Sequence, residues 1–324
     1  MSEEGTPPPI LVLFLATIIS LAIFVPLTGV LVRFRANYNP KGLQLDSEGG
    51  AAPHTGPVVN SYIQMFLRTY KLEGVPGLYK GLMPTALSTV VVSIIILLAV
   101  DTDAPRHGKY RAPEAGVLGT LFYSFAMLII SLPTSILTYR SITTPHKLSY
   151  FNVMKGLRVL LTPTERHRPW ILYLTPGLMA AELCHIVIIV VFLGPMRRIL
   201  LPRSPKGVIK PSDVSVWKFV LYVILLVASI LVLAPLEVIA TRLAIQRNHA
   251  SAEYNSVSQE VDGDMEDTEG YAGTEEDVIG LRSEGDPYLG LADCAKRIID
   301  EEGYMTLYRA WWVTLLGSLG SSFA

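Results

Sequence analysis

Long uncharged runs alternate with polar connections along the whole chain. Six segments carry almost no charge: 10–32, 82–100, 115–139, 171–196, 214–234 and 310–324. A helix needs about 20 apolar residues to cross the hydrocarbon core of a bilayer. The pattern therefore predicts six transmembrane helices, the last of them short, with both chain ends on the same side of the membrane.

The connections between these runs alternate in character as well. Those after the first, third and fifth runs each contain a stretch with apolar residues at helical spacing, at 59–70, 150–161 and 291–299. This spacing is typical of an amphipathic helix, which we expect to lie at the membrane interface. The chain thus divides into three units of two predicted transmembrane helices and one interfacial helix, at residues 1–114, 115–211 and 212–324.

A proline motif recurs in the three units. In the third unit it consists of Pro235, Glu237 and Arg242, followed downstream by Glu302-Gly303 and Tyr308-Arg309. Weaker copies consist of Pro26 with Glu73-Gly74 and Tyr79-Lys80, and of Pro133 with Trp170 and Tyr173. The three prolines lie 107 and 102 residues apart. This combination resembles the signature of the mitochondrial carrier family, and the third unit keeps it best.

The resemblance implies the fold of that family. It is an all-α membrane protein with six transmembrane helices in three tandem two-helix repeats, with three interfacial helices, around a pseudo-threefold axis. We therefore expect this architecture over nearly the whole chain.

In carriers the odd-numbered transmembrane helices end in acidic and basic residues that pair between repeats and close one side of a central cavity. By resemblance these gate positions fall on Pro26, Thr28 and Arg33, on Pro133, Ser135, Thr138 and Arg140, and on Pro235, Glu237 and Arg242. The first basic position is lost in every repeat, where Leu31, Thr138 and Ala240 stand. The sequence therefore predicts that Glu237 has no motif partner; Thr28, Ser135, Thr138 and Glu237 could still close the gate through hydroxyl hydrogen bonds, each contributing about 1 kcal/mol.

Family substrate contacts lie about two turns into the even-numbered helices. Counted from the motif, they fall on Ser88, on Glu182 with its neighbour Leu183, and on Gly317. A carboxylate inside a transmembrane helix costs roughly 2.5–3.5 kcal/mol or more, so Glu182 must face a wet cavity, pair with another group or be protonated. His185 lies one turn further on the same face and joins Glu182 in the predicted substrate site.

Two interpretations of Glu182 remain open. The residue could bind a cationic or amine-bearing solute or a proton, or it could pair with His185 and lock the fourth helix to a neighbour. Because Glu182-x-x-His185 has no second copy, a dimetal site is not expected, and no cofactor is predicted.

The resemblance also implies a lipid site. Gly74 and Gly303 follow acidic residues just after predicted interfacial helices, where carriers bind cardiolipin through backbone N–H groups. Arg168 stands at this place in the second repeat.

Residues 250–287 interrupt the third repeat with twelve Asp and Glu against one Arg. Low hydrophobicity with high charge predicts disorder, and this acidic loop could recruit a protein partner. The net charge of −1 for the chain argues against nucleic-acid binding. The two cysteines show no metal-binding or redox spacing.

The sequence as a whole predicts a monomeric carrier-like solute transporter of a mitochondrial membrane, the inner rather than the outer, working by alternating access. The alternative is a carrier-like outer-membrane protein that does not transport, acting as a fusion scaffold or a membrane-protein insertase. The charge-poor gates, the short sixth span and a membrane-buried Glu182–His185 pair all fit this alternative. No phosphate-binding loop, nucleophile elbow or metal cluster is present in the sequence, so an enzyme is not expected.

Overall fold

The computed structural model describes residues 9–41, 44–45, 51–52, 57–99, 116–146, 148, 152–201, 215–248, 277–282 and 285–323. The helices are α1 Pro9–Ala36, α2 Tyr62–Leu78, α3 Leu82–Ala99, α4 Val117–Thr143, α5 Val153–Leu160, α6 Pro163–His167, α7 Leu178–Val187, α8 Gly194–Leu200, α9 Val216–Ile245, α10 Leu291–Glu301 and α11 Trp311–Phe323. Short 3-10 helices cover Pro169–Leu174 and Tyr304–Tyr308, and a π-helical stretch, Ile188–Leu193, joins α7 to α8. Strands β1 (Gln44–Leu45) and β2 (Ala51–Ala52) form a small antiparallel ladder. The predicted all-α class is confirmed.

Within the described residues, four helices are long and apolar enough to cross a membrane: Phe14–Ala36, Val117–Thr143, Leu178–Leu200 and Val216–Ile245. The pair Tyr62–Leu78 and Leu82–Ile94, bent by 49°, would be a fifth span if it counts as one. Helices α3 and α11 form over the second and sixth predicted runs. A multi-span membrane protein is therefore confirmed, while the full six-span layout stays a prediction.

The fourth predicted span begins too early. Residues 171–174 form the 3-10 helix, and α7 starts only at Leu178. The cause is Gly177, whose φ of 80° lies in the left-handed region, so the chain turns before the helix begins. A side chain at Gly177 would also collide with the backbone nitrogen of Leu291, at the start of α10.

The odd-numbered predicted spans end too early: the helices continue to Ala36, Thr143 and Ile245, and each contains a proline. Proline has no N–H, so the carbonyl one turn earlier loses its usual donor. In each repeat a tyrosine hydroxyl donates to that carbonyl: Tyr79 to Ala22 (3.0 Å), Tyr173 to Ile129 (2.8 Å) and Tyr308 to Leu231 (3.2 Å). Each contact ties the start of the second helix of a repeat to the first helix at the same height.

The three amphipathic stretches form helices α2, α5 and α10, as predicted. Their apolar faces pack inward through Met65 of α2, Leu160 of α5 and Ile298 of α10. Their position at a membrane interface stays a prediction.

Two apolar clusters make up most of the core. One joins α4, α7, α9 and α10, and the other joins α1 and α2. The second cluster also contains Val278 and Ile279, which are buried. The prediction of disorder over 250–287 therefore does not hold for 277–282 and 285–287, because this apolar pair anchors the end of the acidic loop; residues 250–276 and 283–284 lie outside the described residues.

Candidate gate and central charge cluster

Three buried arginines lie at the same end of the helices. Arg33, Arg140 and Arg242 each follow their proline by seven residues and are at most 3% exposed. Each is paired with a carboxylate of its own repeat: Arg33 with Glu73 (2.5 Å), Arg140 with Glu165 (2.7 Å) and Arg242 with Glu302 (Nη2 to Oε2, 3.0 Å). The predicted second basic positions therefore occupy equivalent, fully paired sites.

The same arginines join neighbouring repeats in a cycle. The Nε of Arg33 donates to the Ile142 carbonyl (3.0 Å), that of Arg140 to Ala244 (3.3 Å) and that of Arg242 to Arg35 (3.2 Å). Hydrogen bonds from charged donors are about twice as strong as neutral ones. We call the three arginines with Glu73, Glu165 and Glu302 the arginine ring; it joins the three repeats at this end of the helices.

Glu165 was missed from the sequence, because His167 stands at the position of the motif acid and Arg168 at that of the glycine. It lies in α6, where it forms a reciprocal capping box with Thr162 (3.2 and 3.1 Å). The signal that could have found it is Thr162-x-x-Glu165 with a proline at the first helical position. Burial alone would raise the pKa of Glu165, but hydrogen bonds and the charge of Arg140, with two backbone N–H groups, hold it below its ordinary value.

A second set of charges lies next to the ring. Glu237 accepts hydrogen bonds from Arg35 (2.5 Å) and from the Thr314 hydroxyl (2.5 Å), and its other oxygen lies 3.5 Å from His185 Nε2. As predicted, no residue at a motif position pairs with Glu237. Its partner is Arg35, which lies nine residues after Pro26 and so outside the motif. The contact joins α1, α7, α9 and α11.

Glu182 lies near the charges around Glu237. It interacts with His185 and Glu237, and Tyr139 of α4 interacts with Glu182, Arg35 and Glu237. His185 thus contacts Glu237 of α9 as well as interacting with Glu182, and both interpretations of Glu182 stay open. We call Arg35, Glu182, His185, Glu237 and Thr314 the central cluster; residues of all three repeats contribute to it.

A family model described as "Mitochondrial carrier protein" matches residues 9–103 and 219–324, which is more than half of the chain. The chain belongs to the mitochondrial carrier family. No curated protein matches this carrier. Membership and the apolar helices support a carrier-like transporter of small solutes that crosses a mitochondrial membrane several times. The matched residues contain the Arg33–Glu73 and Arg242–Glu302 pairs, whereas the Arg140–Glu165 pair lies between the two matches.

The hydroxyls at the carrier gate positions do not bridge the repeats. Thr28 donates to Phe24 (2.8 Å), Ser135 to Ser131 (3.0 Å) and Thr138 to Thr134 (2.7 Å), all carbonyls of their own helices. The closure through hydroxyls that the sequence allowed is therefore not seen at these three residues, since the backbone carbonyl one turn back is the nearer acceptor. The contacts that join the repeats here are those of the arginine ring and of the Arg35–Glu237 pair.

The predicted substrate residues of the carrier fall in different surroundings. Glu182 and His185 belong to the central cluster, whereas Leu183 packs against the apolar core of α4, α7, α9 and α10. The hydroxyls of Ser88 and Thr134 lie 3.2 Å apart, joining α3 to α4, and Gly317 is exposed on α11. The substrate role of these residues stays a prediction.

Gly74 and Gly303 have positive φ angles of 68° and 93°, which glycine adopts readily. They let the chain turn directly after Glu73 and Glu302, so that both carboxylates reach their arginines. Lipid binding at these glycines stays a prediction.

Proposed function

We propose that this carrier moves a cationic small molecule across the inner mitochondrial membrane by alternating access through a central cavity. The observation that supports this most directly is the central cluster, in which side chains of all three repeats meet next to the arginine ring.

The charges of the cluster favour a cation. Arg35 balances Glu237, which leaves Glu182 as the second carboxylate, and His185 interacts with both. A carboxylate within a membrane span is costly unless a positive charge compensates it. An ammonium or guanidinium group of a solute would supply that charge. A proton on Glu182 would also neutralise it, so the test must distinguish a cationic solute from a proton.

The ring suggests how the closed end could open. The pairs Arg33–Glu73, Arg140–Glu165 and Arg242–Glu302 lie within single repeats and can persist while the repeats move. The bonds to Ile142, Ala244 and the Arg35 carbonyl lie between repeats and must break. Hydrogen bonds to charged groups contribute about 1.5–3 kcal/mol each, a size that permits reversible opening.

The same contacts bear on the scaffold or insertase alternative. That alternative rests on gates without charge pairs, but Arg35 and Glu237 form such a pair between the first and third repeats. The transporter is therefore the better supported function.

The test is uptake of labelled putrescine, choline and L-lysine into liposomes containing purified protein. We expect uptake of at least one of these amines, loss of that uptake in Glu182→Gln, and no change in Asp300→Asn, which removes an exposed carboxylate on α10.

Three outcomes count against the proposal. Uptake of labelled dicarboxylates that is indifferent to Glu182→Gln would exclude a cationic solute at this residue. Proton movement that depends on Glu182 without any amine uptake would assign the site to a proton. Absence of uptake across these probes and the dicarboxylates, from well-folded protein, would favour the non-transporting alternative.

A further inference from the structure

The end of the acidic loop is fixed to the first repeat. Val278 and Ile279 are 8% and 7% exposed and pack with Val30 and Phe34 of α1 and Met65 of α2. Burial of two aliphatic side chains in this way is a substantial apolar contribution. We call residues 277–282 the clasp.

Polar contacts hold the clasp on the same surface. Arg68 of α2 donates to the carbonyls of Val278 (3.1 Å) and Asp277 (2.9 Å). The Gly280 N–H donates to Asn37 Oδ1 (2.9 Å), and the Tyr38 N–H donates to the Gly280 carbonyl (2.8 Å). Both sides of the clasp backbone are therefore bound to the first repeat.

The other end of the clasp is bound to the third repeat. Arg282 donates to Glu301 of α10 (2.8 Å), and its guanidinium lies 4.8 Å from the centre of the Tyr288 ring. Tyr38 donates its hydroxyl to the same Glu301 (2.8 Å). The clasp thus bridges the two repeats beside the place where Arg242 of one donates to the Arg35 carbonyl of the other.

We propose that the clasp holds the arginine ring closed, and that its release from α1 and α2 precedes the opening of this end. Parting the first and third repeats moves α1 and α2 away from α9 and α10. The clasp contacts both sides, so it must give up either its apolar anchors or its Arg282 contacts. The inference rests on the proposed function only in that it takes this end to open.

The experiment measures how often the closed end opens. Ser141, next to Arg140 on α4, is 1% exposed and does not belong to the clasp. A cysteine at this position (Ser141→Cys) is placed in a Cys184→Ala background, where the remaining Cys294 is buried and gives the baseline. Labelling by a charged maleimide is followed in lipid nanodiscs, where both faces of the membrane are accessible and no solute is needed.

We expect the double substitution Val278→Ser/Ile279→Ser to speed this labelling about tenfold, the equivalent of about 1.4 kcal/mol. Leu281→Ser is the matched control, because Leu281 lies in the same segment but is 46% exposed, and it should leave the rate unchanged. Arg68→Gln, which keeps the apolar anchors and removes two hydrogen bonds, should speed labelling by a smaller factor.

Unchanged labelling in both clasp variants would overturn the inference, as would equal acceleration by Leu281→Ser. If the double variant unfolds, Arg68→Gln alone decides between the two results. Because the assay uses no solute, faster labelling upholds the clasp even if every uptake experiment fails, and the two proposals can fail separately.

Discussion

At the scale of single residues, the arginine that a carboxylate contacts in the fold is a better guide to its role than its position in the sequence motif. Glu73 and Glu302 precede a glycine, whereas Glu165 belongs to a capped helical turn, yet all three meet the equivalent arginine. The motif showed Arg33, Arg140 and Arg242 in the sequence. It could not show Glu165 or Arg35, because the partner of each is fixed by the fold and not by spacing.

Glu165→Gln should strongly destabilise the protein, because it leaves Arg140 buried without its charged partner. Breaking a buried ion pair on one side costs about 3–5 kcal/mol. Thermal unfolding of detergent-solubilised protein at neutral pH measures this change. Asp300→Asn, an exposed carboxylate loss on α10, should leave the unfolding temperature unchanged.

The same variant should flatten the acid dependence of stability. The pKa of Glu165 is held below its ordinary value of 4.5, so its ionised form stabilises the fold above the unfolded-state pKa. This stabilisation is lost as the pH falls through the lower folded-state pKa. We expect unfolding temperatures measured from pH 7 downwards to fall less steeply below about pH 4 in Glu165→Gln than in wild type; parallel curves would contradict this assignment.

At the scale of helices, apolar runs predict where a helix lies better than where it ends. The hydrophobic pattern placed α1, α4 and α9 correctly, but these helices continue to Ala36, Thr143 and Ile245 because the arginine ring accommodates their polar ends. The clasp was hidden for a different reason. The composition of residues 250–287 is strongly acidic as a whole, so the two apolar residues Val278 and Ile279 did not change the prediction of disorder.

Gly177→Ala should destabilise the protein markedly, because α7 begins there against the start of α10. Alanine in the left-handed region costs roughly 1–2 kcal/mol, and its Cβ would also collide with backbone atoms of Gly290 and Leu291. Thermal unfolding in detergent measures the loss.

The matched control is Gly156→Ala, at a glycine in the interior of α5 where a Cβ meets no atom within 4 Å. Alanine there should be neutral or stabilise by about 0.5–1 kcal/mol. Equal effects of the two substitutions would mean that the α7–α10 contact is not the cause.

At the scale of the whole molecule, the three repeats share one set of contacts, although their sequences have diverged. The ring runs in cyclic order from Arg33 to Ile142, from Arg140 to Ala244 and from Arg242 to Arg35, so all three repeats together hold this end of the helices. These shared contacts do not specify the substrate or the membrane. The sequence therefore predicted more of the architecture than of the functional site.

If the carrier resides in the inner membrane, a terminal tag should be cleaved by protease only after the outer membrane has been opened. The acidic loop should remain protected in mitoplasts, since it leaves the helices at the opposite side from the chain ends in the predicted six-span layout. Immunoblots of intact mitochondria, ruptured mitochondria and mitoplasts measure both. Cleavage of the tag in intact mitochondria would place the protein in the outer membrane.

The three proline–tyrosine contacts make two distant positions depend on each other. A helix interior usually gains stability when proline is replaced, but alanine at Pro26, Pro133 or Pro235 would restore the N–H that competes for the carbonyl now bound by tyrosine. Each partner is therefore advantageous only while the other is present. We therefore expect the proline and the tyrosine of a repeat to be gained and lost together during evolution. The pair should persist in repeats whose charged motif residues have changed.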